Sequence, residues 1–289
     1  MTGTRVTCVG GGHGLAATLR SVRPWASDIV AVVSVADDGG SSGRLRHDPG
    51  IIPPGDLRRC LSALAEPGSI LGAALEHRFR DGELEEHALG NVLIAGLVEH
   101  GLDVEAALAE VGRLVGASGR VLPAASVGVT LTGVGPSATS VEGQVRVQHT
   151  SGVRRVRIAP ADAPSPPSVR AAIVAADLVV LGPGSLLTSV LAAAVVPGVL
   201  EALQATTATR ALVVNLGPQR GEAEGLSPDD HVRIVADHDV PVDVVLADPR
   251  FAPTIADIPA VVAPVGVEGS AVHDPGLLGP ALRSLVYRR

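Results

Sequence analysis

Two glycine-rich segments contain residue types that could bind an anion. G-G-G-H-G at residues 10–14 follows an apolar run and precedes a run with helical spacing. G-P-G-S at residues 182–185 repeats this arrangement, with Thr188 in the first turn of the following helix. Glycines between a strand and a helix let a phosphate approach the backbone N–H groups at the helix N-terminus. We therefore interpret both as phosphate-binding turns; the alternatives are a tight turn without a ligand and helix capping by Ser185 and Thr188.

Neither segment matches a stricter catalytic or cofactor motif. The dinucleotide fingerprint G-x-G-x-x-G fails because residue 15 is Leu. The hydrolase elbow G-x-S-x-G fails around Ser185, because Pro183 and Leu187 stand where its glycines would be. Ser185 is thus a helix cap or a phosphate contact rather than a nucleophile.

An acidic pair, Asp37 and Asp38, follows the second apolar run of the chain. An acid at this place in a nucleotide-binding fold meets a ribose hydroxyl. The pair could instead hold Mg²⁺ that bridges phosphate oxygens, or it could open an Asx-type turn without any ligand. Arg44 and Arg46, just beyond, could close the loop over an anion, and Gly55-Asp56 could cap a helix over residues 57–64.

The composition excludes several classes of protein. All 23 basic residues are Arg, so a P-loop and lysine Schiff-base chemistry are absent. A net charge of −7 disfavours nucleic acid and anionic lipid as partners. The two cysteines form neither a disulfide framework nor a zinc set. Because no uncharged apolar run reaches the roughly 18 residues of a membrane span and no signal peptide is evident, we expect a soluble, cytoplasmic protein.

The elements around these motifs predict an α/β fold. Apolar runs at residues 6–9, 29–35, 178–181, 211–215 and 242–246 are typical of strands covered on both faces. Helical spacing follows the first run and recurs in several segments, among them residues 88–100 and 104–115. Strand, glycine-rich turn, helix and strand open a Rossmann-like, doubly wound and mostly parallel sheet, whose ligand site lies beyond the carboxyl ends of its strands.

The middle of the chain has a different pattern. Residues 120–158 contain short alternating runs separated by Gly and Pro, which predict an inserted antiparallel β meander. After about residue 248, Pro and Gly are frequent until a last helix near residues 281–287, so we expect a C-terminal extension there. No linker or internal repeat interrupts the chain, and we predict one α/β domain over residues 1–289.

Taken together, the motifs resemble the gluconeogenesis-factor (YvcK-like) family, within the CofD-like superfamily of 2-phospho-L-lactate transferase. The resemblance covers about residues 5–247 in the family's order and depends on these segments: V-G-G-G-H-G-L at 9–15, V-A-D-D-G-G-S-S-G-R-L-R at 35–46, P-P-G-D-L-R-R-C-L at 53–61, H-A-L-G-N at 87–91, L-G-P-G-S-L-L-T-S at 181–189 and N-L-G-P-Q-R-G-E-A-E-G at 215–225.

The resemblance implies a Rossmann-like cytoplasmic protein that binds UDP-sugars such as UDP-N-acetylglucosamine. Such a protein would be linked to gluconeogenic growth, cell-wall precursor supply and cell shape. By motif, Gly11 to Gly14 would face the diphosphate, Asp37 and Asp38 would hold a metal or ligand hydroxyls, and Asn91 would lie near the sugar or base. The full set of implied ligand residues is Gly11, Gly12, His13, Gly14, Asp37, Asp38, Ser41, Ser42, Arg44, Asp56, Asn91, Gly184, Ser185 and Asn215.

Three departures from the family pattern bear on ligand choice. His13 stands where the glycine turn usually carries Thr, and Ala88 replaces the hydroxyl residue of G-H-S-x-G-N. Q-R-G-E at residues 219–222 replaces Q-P-G-E and adds a cation, Arg220, beside the expected site. The preferred ligand could therefore differ from that of other members.

Two functions remain open from the sequence. The first is a UDP-sugar-binding regulatory protein, which we favour because the motifs describe a phosphate cradle more clearly than a reaction centre. The second is a metal-dependent transferase of the 2-phospho-L-lactate transferase type, acting on a nucleotide diphosphate or phosphate ester, with Mg²⁺ held by Asp37 and Asp38. No cofactor is certain from the sequence, Mg²⁺ being the one candidate, and a homo-oligomer is left open.

Overall fold

The structure is a computed structural model of the whole chain. It describes residues 3–45, 52–135, 139–217, 221–222, 224–254 and 257–286, without the side chains of residues 44 and 45. Arg46, Gln219 and Arg220, which the sequence places near the site, therefore lie outside the described residues, and Arg44 is described only as part of a helical backbone.

A seven-stranded parallel sheet forms the centre of the molecule. Its strands, in spatial order, are β10 (Ala260–Val262), β9 (Val244–Ala247), β8 (Thr209–Val213), β7 (Leu178–Leu181), β1 (Arg5–Gly10), β2 (Asp28–Val33) and β3 (Arg120–Pro123). The chain moves outward from β1 in one direction and then outward from β7 in the other. This is the strand order of a doubly wound fold, whose topological switch point lies between β1 and β7.

Helices cover the sheet. They are α1 (Gly12–Val22), α2 (Gly40–Leu45), α3 (Gly55–Leu64), α4 (Ile70–Ala74), α5 (Leu89–Glu99), α6 (Val104–Leu114), α7 (Gln144–Gln148), α8 (Pro167–Ala175), α9 (Ala192–Ala194), α10 (Pro197–Ala205), α11 (Pro228–Asp237) and α12 (Pro275–Leu285). A π-helix, Leu186–Leu191, leads directly into α9. Helix α1 packs against α3 and α12, and α8 packs against α10. In a doubly wound sheet, right-handed crossovers put the helices that follow strands on either side of the switch point on opposite faces.

The core lies between the sheet and these helices and consists mainly of Val, Leu, Ile and Ala side chains. All four residues of β7 and of β9 are buried, which agrees with the continuous apolar runs predicted as two-sided strands. Ser227 and Asp230 form a capping box at the start of α11.

A separate three-stranded antiparallel sheet has the order β5 (Ser140–Glu142), β4 (Thr130–Val134), β6 (Arg155–Ala159). Strand β6 alternates buried and exposed residues, as a one-sided sheet requires. The predicted meander is therefore present, but β3 does not belong to it: β3 pairs in parallel with β2, because its apolar residues are buried in the main core. Residues 140–147 also differ from the predicted meander, because only their first part forms a strand, β5, and residues from 144 onward form α7.

The residues after 248 are part of the same fold. Strand β10 adds to the edge of the sheet at β9, and α12 packs on α1. Within the described residues, no single helix has the length and apolar character needed to cross a membrane. Two consecutive helical segments, Leu186–Ala194 and Pro197–Ala205, reach that length only together and are bent by 75° where they meet.

Candidate functional site

The two glycine-rich turns lie side by side at the switch point. A Cβ atom on Gly14 would lie 2.2 Å from the Pro183 carbonyl oxygen, so only a glycine permits this approach. The Thr18 hydroxyl donates to the Gly182 carbonyl oxygen at 3.0 Å and ties the helix of the first turn to the second turn. Residues 10–14 and 182–185, which the sequence treats as two similar motifs, thus form one structure beyond the carboxyl ends of β1 and β7.

A cavity of about 440 Å³ opens beside these turns. This volume lies within the range of small-molecule sites. Among the predicted ligand residues, His13, Gly14, Gly184, Ser185 and Asn215 line it. Its other lining residues are Ala17, Gln148, Pro183, Leu216, Gly217, Glu222, Ala271, Val272 and His273.

Gly11 and Gly12 face a carboxylate of the protein itself. The Gly12 amide donates to Asp56 Oδ2 at 2.8 Å, and a Cβ on Gly11 would lie 2.5 Å from the same oxygen. Arg59 pairs with the other oxygen of Asp56 at 2.6 Å. Burial raises the pKa of Asp56, and the Arg59 guanidinium opposes that rise. Asp56, predicted as a ligand residue or a helix cap, therefore binds the backbone of the first turn and is not among the residues that line the cavity.

His13 is the exposed residue of the first turn. The positive charge of Arg59 lowers the pKa of His13, and partial burial acts in the same direction. At neutral pH the imidazole is therefore neutral and offers one donor and one acceptor to the cavity. A neutral hydrogen-bonding group is thus retained where the family usually carries a Thr hydroxyl.

An acidic side chain of the protein, Glu222, also packs against the second turn. Glu222, which is 1% exposed, accepts hydrogen bonds from the Ser185 hydroxyl and, at 3.1 Å, from the Thr188 amide. Burial raises the pKa of Glu222, while hydrogen bonds from the Ser185 and Thr188 hydroxyls and from the Leu187 and Thr188 amides oppose the rise. Ser185 and Thr188 thus act on Glu222 within the protein.

Asn215 fixes the backbone of the second turn. Its Oδ1 accepts from the Gly184 amide at 3.0 Å, and its Nδ2 donates to the Gly184 carbonyl oxygen at 2.7 Å. This pair of bonds imitates strand pairing and positions Gly184 at the cavity wall. Asn215 lines the cavity, but its amide is largely used to hold the turn; its predicted role as a ligand residue stays a prediction.

The acidic loop contacts the start of α3 and the start of α7. Asp37 Oδ1 accepts from the Gly39 amide at 3.0 Å, which is the Asx-type turn considered from the sequence. The other oxygen of Asp37 would lie 2.9 Å from a Cβ on Gly55, the residue before Asp56. Asp38 Oδ1 accepts from the Val145 amide at 2.9 Å and so holds the first turn of α7, whose last residue lines the cavity.

The serines of the same loop bind the protein. Asn91 Nδ2 donates to the Ser41 hydroxyl at 3.0 Å, and Ser41 also contacts His87 Nδ1 at 3.2 Å. Ser42 packs against Gly55 at a distance that leaves no room for a Cβ. These residues connect α2 to α3 and α5, and Ser41, Ser42 and Asn91 are not among the residues that line the cavity.

The acidic pair does not form a metal site by itself. Asp37 and Asp38 turn toward different backbone segments, Gly39 and Val145. Within the described parts of the chain, no three His, Cys, Asp or Glu side chains are grouped so that they could hold a metal ion. The protein alone therefore does not supply a complete ligand set there, and Mg²⁺ on Asp37 and Asp38 stays a prediction that needs oxygens from a bound phosphate.

Sequence reasoning assigned no role to three residues at the cavity: Gln148, Glu222 and His273. Glu222 lies in the motif at residues 215–225, so the sequence could indicate that it is near the site. The sequence could not indicate that its carboxylate contacts Ser185 and Thr188 of the second turn. His273 carries no motif at all. It reaches the cavity because β10 and α12 return the chain to the edge of the main sheet.

Comparison with known proteins decides the family. Residues 6–257 match the family model described as 2-phospho-L-lactate transferase CofD. The chain belongs to this family. A putative gluconeogenesis factor of Mycobacterium leprae is 42% identical over 96% of this chain and 84% of the relative. A gluconeogenesis factor of Halalkalibacterium halodurans is 39% identical over 81% and 73%.

A solved structure supports the same assignment. A crystal structure of a Bacillus halodurans protein superposes with a TM-score of 0.90 at 33% sequence identity. The match covers 98% of this chain and 99% of that chain. The likeness to that protein thus extends over nearly the whole α/β fold of this chain and is not confined to the glycine-rich turns.

Proposed function

We propose that this CofD-family chain is a regulatory protein that binds a UDP-sugar, such as UDP-N-acetylglucosamine, in the switch-point cavity. The observation that carries the proposal is the contact between the two glycine-rich turns, which frame a cavity of about 440 Å³ beyond the carboxyl ends of β1 and β7. In doubly wound sheets this crevice is where nucleotides bind. The link to carbon metabolism, cell-wall precursor supply and cell shape follows from the resemblance to gluconeogenesis factors and is part of the proposal.

The cavity wall suits a ligand with both anionic and hydroxyl groups. His13 and Gly14 lie at the N-terminus of α1, where backbone amides favour a phosphate. Gln148, Asn215 and His273 supply neutral polar atoms, and Val272 supplies an apolar surface. A few polar groups on a largely apolar wall are typical of small-molecule sites.

A thermal-shift series tests the proposal. UDP-N-acetylglucosamine, UDP-glucose, UDP, GTP and a deazaflavin precursor would each be added with and without Mg²⁺. A ligand at 100 times its Kd stabilises the native state by about 2.7 kcal/mol, so a UDP-sugar should raise the Tm by several degrees. A shift with GTP or the deazaflavin precursor and none with any UDP compound would overturn UDP-sugar binding.

A metal-dependent transferase is the second candidate, favoured by the description of the family model. For this function Asp37 and Asp38 would hold Mg²⁺ against ligand phosphate oxygens. Replacing both by Asn should remove the Mg²⁺-dependent part of any thermal shift, and the matched double change Asp81→Asn and Asp239→Asn on exposed residues should not. Phosphorus NMR of UDP-sugar incubated with the protein separates the candidates: we expect an unchanged spectrum, and new phosphate signals would favour the transferase.

A further inference from the structure

The second glycine-rich turn differs from the first in what its donors bind. The side chain of Glu222 comes from a distant segment and packs against the start of the helical segment Leu186–Ala194, where it is almost completely buried. One carboxyl oxygen accepts from the Ser185 hydroxyl and the other accepts from the Thr188 amide at 3.1 Å. The Thr188 hydroxyl in turn forms a hydrogen bond with the Ser185 hydroxyl. These donors form the kind of seat that a phosphate takes at a helix N-terminus, and a carboxylate of the protein occupies it.

Both oxygens of this carboxylate are engaged by the second turn. The Ser185 hydroxyl contacts one oxygen, and the Thr188 amide donates to the other. An amide group can only donate, so the oxygen that faces Thr188 is held as an acceptor. A ligand phosphate could reach the same donors only by displacing a buried, hydrogen-bonded anion, which is costly.

The first turn is organised differently. Asp56 accepts the Gly12 amide and pairs with Arg59, but it lies behind the turn. The amides of His13 and Gly14, which follow in the same turn, have no acceptor among the residues that the structure describes. Both residues line the cavity. The first turn therefore presents donors to a ligand, whereas the second presents an anion with its donors already satisfied.

We propose that Glu222 is a specificity-determining residue that acts as a built-in anion in the oxyanion seat of the second turn. The phosphate groups of the ligand are then bound from the first turn alone, and the neutral part of the ligand lies along residues 183–185 and His273. This inference rests on the proposed function, because it fixes the direction of the nucleotide sugar within the same cavity. It also restricts the ligand class to molecules with one anionic end and one uncharged, hydroxyl-bearing end.

The direct test counts oxyanion seats. Inorganic phosphate binding would be measured by equilibrium dialysis for the unchanged protein, for Glu222→Ala and for Glu224→Ala. Glu224 is exposed and belongs to the same segment, so its change removes an equal charge without opening the seat. We expect Glu222→Ala to bind about one more phosphate than the other two proteins, and the extra phosphate to disappear in Glu222→Ala with Ser185→Ala. Equal stoichiometry in all three proteins would overturn the proposal.

A second variant keeps the proposal testable if Glu222→Ala does not fold. Glu222→Gln preserves the shape of the side chain but turns an NH₂ group toward the donors, so it should lower the Tm by several degrees, and formate should restore none of the loss, since the seat stays filled. A Glu222→Gln protein as stable as the unchanged one would show that the donors do not require an anion, which contradicts the proposal. For Glu222→Ala, formate should recover part of the lost Tm at constant ionic strength, and no recovery would also count against it.

The failure of this inference and of the proposed function can be told apart. UDP and UDP-sugar binding to the unchanged protein tests the function, while the phosphate count in Glu222→Ala tests the seat. If the seat opens but no UDP compound binds, the inference about Glu222 stands and the ligand is another phosphate ester. Phosphate should weaken UDP binding to the same extent in the unchanged protein and in Glu222→Ala, because the two ligands then meet only at the first turn. Stronger competition by phosphate in Glu222→Ala would place the UDP phosphates in the opened seat and would overturn that part of the proposal.

Discussion

Buried His273 should make the protein lose stability as the pH falls from about 6.5 toward 4. Its Nε2–H donates to the Val214 carbonyl oxygen at 3.1 Å, and the side chain is 6% exposed. Burial lowers the pKa of His273 from 6.5 to about 4. Between these values the unfolded chain binds a proton that the folded chain does not, so the free energy of unfolding falls with pH. At about 1.4 kcal/mol per pH unit, the loss at pH 4 is roughly 3 kcal/mol.

Replacing His273 with Gln isolates this contribution. Gln retains an N–H donor for Val214 but does not titrate, so the loss of roughly 3 kcal/mol between pH 7 and pH 4 should disappear from the difference between the two proteins. Urea unfolding followed by the fluorescence of Trp25, the single tryptophan, gives the free energy at each pH. His100→Gln, a change at an exposed position, should leave the pH dependence as it is.

The result that refutes the reasoning is a parallel pair of curves. If the unfolding free energies of the unchanged protein and of His273→Gln fall equally between pH 7 and pH 4, His273 takes up its proton without unfolding. Buried His231 and His238, whose pKa values burial also lowers, are present in both proteins and cancel in the comparison. A difference confined to this pH window is therefore attributable to the one residue.

Three further changes test the framework of the site. Gly14→Ala places a Cβ 2.2 Å from the Pro183 carbonyl oxygen; it should cost roughly 2–4 kcal/mol in urea unfolding, and an unchanged free energy would disprove the close approach. Asn215→Asp sets a carboxylate against the Gly184 carbonyl oxygen, so the Tm should fall by an amount equivalent to roughly 1–3 kcal/mol. Asp248 accepts an ionic hydrogen bond from Arg250, which lowers the pKa of Asp248 from 3.8 to about 2. Its contribution to the free energy of unfolding is therefore lost as the pH falls through that range. Asp248→Asn should be less stable than the unchanged protein at pH 7, and its free energy of unfolding should fall less in acid.

Much of the parallel sheet could be predicted from the sequence. The runs at residues 6–9 and 178–181 lie within β1 and β7, because strands buried on both faces are continuously apolar. The glycines after each run mark the turns, since the backbone must pass close to a neighbour there. The sequence could therefore indicate two phosphate-type turns, but not that Gly14 and Pro183 would be in contact.

The errors come from segments whose local pattern is weak. Residues 120–123 form a short apolar run bounded by turn residues, as do the runs of the meander that follow. Only their pairing with β2 places them in the main sheet. Residues 144–148 have β-branched side chains at alternate positions, yet they form α7, whose N-terminus is held by Asp38 from a distant loop. Such contacts between distant segments override local propensity and cannot be inferred from spacing.

The charges of the site explain why the amides of the first turn matter. The chain has no Lys, so an anionic ligand could be bound by Arg or by the backbone. Arg58 and Arg59 are close to the first turn, but each already pairs with an acid, Glu76 and Asp56. Because these guanidinium groups are paired within the protein, the described site offers a phosphate the amides of His13 and Gly14 at the N-terminus of α1, together with the neutral His13 imidazole. An acid packed against each turn thus leaves much of the recognition to backbone geometry, which is what a glycine-rich turn provides.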